Sequence, residues 1–91
     1  MKELWIVYFT YDGLKEPMYH QYNDEKKARD FAEKAERHIA RDVIPHEDAE
    51  WYAKRNAKVV MEHYEIDPDF PEWQDYEPDE VEEFPLFNFP F

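Results

Sequence analysis

Residues 46–66 read HEDAEWYAKRNAKVVMEHYEI, and how this stretch folds decides the architecture. At helical spacing, Ala49, Ala53, Ala57, Val60 and Tyr64 share one face of a single long helix. The alternative is a short helix ending near Arg55 and then a strand over residues 58–66, built on Val59, Val60 and Ile66. What lies upstream favours the strand. KELWIVYFTYD, residues 2–12, alternates Leu4, Ile6 and Tyr8 with Trp5, Val7 and Phe9, as a strand covered on both faces does. Asp12-Gly13 marks a reversal, and Met18 to Tyr22 follow as a second, shorter strand. A two-stranded hairpin is marginal alone, so a third strand at 58–66 is the economical reading.

Between these strands lies the clearest periodic signal in the chain. Asn23 or Asp24 can cap a helix whose Ala28, Phe31, Ala32, Ala35 and Ile39 fall on one face, giving an amphipathic helix over about 24–42. Val43-Ile44-Pro45 ends it, because the residue before proline is driven out of the helical region. The expected fold is therefore α+β: a small antiparallel sheet in the order ββααβ with helices on one face. The core domain spans 1–66, followed by an acidic, aromatic and proline-rich C-terminal extension over 67–91.

Size makes each large side chain matter. A chain of 91 residues buries little more than half of its unfolded surface, and its three Trp, seven Tyr and seven Phe compensate. There is no cysteine, hence no disulfide framework or thiolate metal site. The apolar run near the N-terminus is too short and too soon interrupted for a signal peptide or a membrane span. A reducing cytoplasm, that of a host cell if the protein is phage-encoded, is the expected location, with no membrane partner.

The formal charge of −12 is unevenly placed. Residues 1–58 hold 12 acids against 11 Lys and Arg, whereas residues 59–91 hold 11 acids and neither Lys nor Arg. Such a polyanion repels nucleic acid by the arithmetic that draws a basic patch to it, so no direct nucleic-acid contact is expected. In an extended chain its carboxylates would form a line of charge spaced like the phosphates of a strand. Interleaved aromatics separate it from a plain solubilising tail, because a binding peptide uses rings as anchors within a charged rim. The candidate partner-binding residues are Asp67, Asp69, Phe70, Glu72, Trp73, Asp75, Tyr76, Glu77, Asp79, Glu80, Glu82, Glu83, Phe84, Phe87, Phe89 and Phe91. Packing of the aromatics back onto the sheet, and capture of the acids by helix cations such as Lys26, Arg29 and Lys34, are the competing expectations.

Nothing in the sequence points to chemistry. His20, His38, His46 and His63 lack the spacing of a metal site, Gly13 stands alone, and Thr10 is the single threonine, within a strand pattern, in a chain without serine or cysteine. No enzyme activity, cofactor or metal is expected. The ending in Pro90-Phe91, with Glu82 and Glu83 upstream, resembles the C-terminal tails of bacterial single-stranded-DNA-binding proteins, which dock in basic, apolar pockets of replication and repair enzymes. It departs from that pattern in the eight uncharged residues after Glu83, and no nucleic-acid-binding barrel precedes it.

Small, acidic, cysteine-free domains of this kind resemble in type the proteins that phages and mobile elements use against host enzymes. The expected function is an inhibitor of a basic, nucleic-acid-binding host protein, such as a CRISPR effector, a restriction or repair nuclease, or RNA polymerase. Its acidic residues would mimic DNA in the groove. The alternatives are an adaptor whose C-terminal peptide recruits a replication or repair protein, and an assembly protein that uses the tail for strand addition.

Overall fold

The deciding stretch divides at Asn56. In the computed structural model, which describes residues 1–87, Asn56 has φ of 54°, a left-handed conformation that Asn tolerates better than most residues. A helix, α2 (Ala49–Ala53), ends just before it: Asn56 N donates to the Ala53 carbonyl and Ala57 N to that of Tyr52. The chain then leaves as a strand over Lys58–Ile66. The Asn56 amide also donates to Asp12 at 2.9 Å, and Asp12 N donates to the Arg55 carbonyl, so the end of the first hairpin fastens the turn.

Strand β1 (Lys2–Thr10) pairs with β2 (Tyr19–Tyr22) on one side and with β3 (Lys58–Ile66) on the other, both antiparallel. The β1–β3 ladder is the longest, running from Lys2 opposite Ile66 to Thr10 opposite Lys58. Leu4, Trp5, Ile6 and Val7 are consecutively buried, which requires cover on both faces.

Helix α1 (Glu25–His38), capped by the Asp24 side chain on Lys26 N, covers one face and continues through a π-helical turn at Ile39–Val43. Ala28 and Ala32 have no exposed surface, so the helix lies close to Trp5, Val7, Val59 and Met61. Tyr52 of α2 packs against the same cluster.

The C-terminal segment differs from expectation. A three-stranded sheet with an acidic extension beyond it was expected; instead Glu80–Pro85 form β4, antiparallel to β3, and complete a four-stranded sheet in the order β2-β1-β3-β4. Composition misleads here because the features that mark disorder are satisfied in place. Glu82 and Glu83 meet Arg29 and Lys58, Pro68, Pro71, Pro78 and Pro85 fall at loop and strand-end positions, and Phe84 and Leu86 join the helix-side core.

The opposite face holds a second cluster, Leu4, Ile6, Tyr64 and Ile66, against which Tyr8, Trp73 and Tyr76 pack. Among the described residues no α-helix lies there. The loop over 67–79, including a single 3-10 turn at Trp73–Asp75, supplies the cover.

Residues 1–66 expressed alone would expose Leu4, Ile6, Tyr64 and the outer edge of β3. The expected outcome is loss of the cooperative urea transition that the full chain shows by circular dichroism; an unchanged transition would mean that the loop and β4 add nothing to stability.

Candidate functional site

The loop over 67–79 is built by local hydrogen bonds and then fixed to the sheet. Asp67 Oδ1 accepts from Asp69 N at 2.9 Å, and the Asp67 carbonyl accepts from Phe70 N. Tyr76 closes the loop: its hydroxyl donates to the Phe70 carbonyl at 2.8 Å and accepts from Asp67 N at 3.1 Å. Farther on, Asp79 N donates to the His63 carbonyl and Asp79 Oδ2 accepts from Glu65 N at 2.9 Å, tying the loop to β3. The Trp73 ring meets Tyr19 edge-on at 5.0 Å and Tyr64 at 5.5 Å between ring centroids.

This arrangement sorts the candidate residues. Asp69, Glu72, Asp75, Glu77, Asp79 and Glu80 are exposed, and Asp67 is half-buried. Among the described residues none of these seven forms an ion pair with a cationic side chain. Phe70 stands among them with 70% of its surface exposed, the most outward large ring on the loop. Trp73 and Tyr76 instead face inward and hold the loop on the sheet.

Glu82 and Glu83 are drawn into the fold. Register sends Glu82 to the helix side, where Arg29 Nη1 lies 2.6 Å from it, and Glu83 to the opposite face, where Lys58 Nζ reaches it at 2.9 Å. Of the helix cations, Arg29 thus holds one acid of the C-terminal segment, while Lys26 pairs with Asp30 on its own helix. Phe84 and Phe87 pack against the helix-side core. Phe89 and Phe91, with Pro90, lie outside the described residues. Because 67–79 turns rather than extends, its carboxylates do not have the spacing of a straight strand; only β4 does.

A second group of polar residues, not evident from the sequence, lies on the loop-side face. Glu62, in the middle of β3, accepts from Tyr8 Oη at 3.1 Å through Oε2 and from Tyr64 Oη at 2.9 Å through Oε1. Burial, followed by the charge of Glu62, pushes the Tyr8 hydroxyl up to about 12; burial, and then the hydrogen bond to Glu62, raises Tyr64 as well. Both remain neutral donors at physiological pH. Only the strand register brings Tyr8 and Glu62 together across 54 positions of sequence.

Among the described residues no group of three or more His, Asp or Glu side chains could hold a metal ion, and no helix is long and apolar enough to cross a membrane. No family model, curated protein or solved structure shows significant similarity to this chain.

Trp73→Ala is expected to destabilise the fold by about 2–4 kcal/mol in urea titration, because it uncovers the second core cluster. Phe70→Ala should change stability by no more than roughly 0.5 kcal/mol, since the ring is solvent-facing.

The tyrosines give a pH dependence whose sign is fixed. Raised folded pKa values mean that the native state holds protons the unfolded chain has lost above the ordinary value of 10.0, so stability is constant below that pH and falls as pH rises toward 12. Of the seven tyrosines burial raises Tyr22 as well, and tyrosinate absorbance should show the two bound to Glu62 among those titrating late. In Glu62→Gln both should move down yet stay above the ordinary value, because burial is the larger cause.

Proposed function

We infer that this protein is a binding protein whose acidic loop occupies the nucleic-acid groove of a basic partner, acting as an inhibitor by steric and electrostatic competition. The observation that carries the reading is the loop over 67–79: carboxylates that form no ion pair among the described residues surround one exposed phenylalanine on a platform docked to the sheet. A solubilising tail would need neither the anchor nor the exposed ring. A charged rim around an apolar centre is the pattern of a recognition surface.

The forces divide the work. Exposed carboxylates contribute little net energy pair by pair, but their summed field steers a basic partner and speeds encounter. Phe70, entering an apolar pocket, governs residence. Because the loop is ordered before contact, little conformational entropy is lost on binding. The partner class that fits is a protein whose groove normally accepts phosphates, among them CRISPR effectors, restriction or repair nucleases and RNA polymerase. Inhibitors of this type are used by phages and mobile elements.

An adaptor acting through its C-terminal peptide is the second reading. Phe84 and Leu86 are committed to the core, so this reading rests on Phe89 and Phe91.

The test begins with the full chain immobilised against host lysate and the captured protein identified and purified. Nucleic acid should displace it, and combined Asp69→Asn, Glu72→Gln, Asp75→Asn and Glu77→Gln substitutions should slow association by about tenfold or more at low salt. Phe70→Ala should mainly speed dissociation. A partner indifferent to nucleic acid and to these carboxylates, but lost with Phe89→Ala and Phe91→Ala together, would establish the adaptor instead.

A further inference from the structure

The loop-side face of the sheet is only half covered. Beyond Trp73 it opens into a hollow of about 710 Å³, which the reading above leaves unused. Cross-strand rows define its floor: Tyr19, Tyr8, Val60 and Glu83 lie side by side, and Glu62 and Val81 pair in the next row.

Charge in the hollow is out of balance. Asp12, Glu62 and Glu83 line it against one cation, Lys58, whose ammonium is already on Glu83 at 2.9 Å. Asp12 is met by the neutral Asn56 amide. Glu62 is half-buried, oriented by two neutral hydroxyls, and among the described residues no Lys, Arg or His forms an ion pair with it. A carboxylate partly withdrawn from water and without a counter-charge favours a cationic ligand, and aromatic walls, with their negative ring faces, favour the same sign. An anion is repelled, and a neutral apolar ligand would leave the carboxylate unpaired.

The acceptor geometry narrows the cation. Each Glu62 oxygen takes one tyrosyl proton, so each retains capacity for one further donor. Two acceptors on one carboxylate, beside the flat rings of Tyr8 and Tyr19, suit the planar fork of a guanidinium better than the point charge of an ammonium.

We propose that this hollow receives one arginine side chain of a protein partner, its guanidinium forked onto Glu62 and its stem against Tyr8, Val60 and Val81. This rests on the reading of the protein as a ligand for a basic partner and specifies one contact, on the sheet face beside the acidic loop. The partner is then gripped at two places: loosely by the loop's exposed carboxylates, and specifically by Glu62.

The experiment needs no partner. The full chain, labelled with nitrogen-15, is titrated by NMR with N-acetyl-arginine amide, N-acetyl-lysine amide and free arginine. The arginine amide should shift the backbone signals of Tyr8, Val60, Glu62 and Val81 with a dissociation constant on the order of 10 mM, and the lysine amide should bind at least about threefold more weakly. Glu62→Gln, which removes the charge, keeps one acceptor oxygen and leaves the other hydroxyl to accept from the new amide, should weaken the arginine amide about tenfold or more. Val81→Lys, at a half-exposed position of β4, should abolish the shifts while leaving the late titration of Tyr8 in place. Equal binding of lysine and arginine amides, shifts unaffected by Glu62→Gln, or no localised shifts would overturn the proposal. Tighter binding of free arginine than of its amide would assign the hollow to a small molecule and likewise overturn it. Should the captured protein prove indifferent to nucleic acid, the groove reading fails, whereas the arginine titration stands or falls separately.

Discussion

The structure depends on the β1–β3 ladder and on the fact that it is apolar on both sides. Leu4 through Val7 are buried one after another, so Trp5 and Val7 need cover on one face and Leu4 and Ile6 on the other. The described residues include one substantial helix. Helix α1, with Ala28 and Ala32 against the strands, takes the first face, and the second falls to a loop that is rich in acid. Burial of the Trp73 and Tyr76 rings holds that loop in place, since each large aromatic removes far more apolar surface from water than its charged neighbours lose. Core formation thus fixes a set of carboxylates to a scaffold, and a segment with the composition of a disordered tail becomes part of the fold.

Two classes of acidic residue follow from this placement. Those in β4 are subject to strand register, which alternates them between faces and hands Glu82 to Arg29 and Glu83 to Lys58. These pairs are partly exposed to solvent and contribute modestly; their main effect is to let an acidic strand lie on the sheet without repulsion. Those in the loop have no register to obey and, among the described residues, form no ion pair with a cation, so their field points outward. Glu62 forms an intermediate case. It is held inside the edge of the sheet face by neutral donors, where water screens it less than it screens the loop.

Much of the fold was legible in sequence order. The alternation in β1, the cap at Asp24 with the stripe from Ala28 to Ile39, and the strand at 58–66 all correspond to the elements formed. Helix gives way to strand at Asn56, one of the few residue types that accept the left-handed turn, and the structure rather than the pattern picks it out. The fourth strand was not legible, because prolines and acids lower the intrinsic preference of 80–85 for a strand and only pairing with β3 overrides it. The exposure of Phe70 and the inward turn of Trp73 and Tyr76 were equally hidden: the three rings look alike in a sequence that has no period there.

By itself, then, the sequence determined the class of fold, the concentration of negative charge in the last third of the chain and the presence of aromatics among the acids, since these rest on local propensity and composition. Only the tertiary structure decided which carboxylates are neutralised, which ring faces outward, and that Tyr8, Glu62 and Tyr64 meet beside an open hollow. The pairing of the strand carboxylates depends on register and the outward turn of Phe70 on how the loop packs on the sheet, and both are set by contacts between residues far apart in the chain.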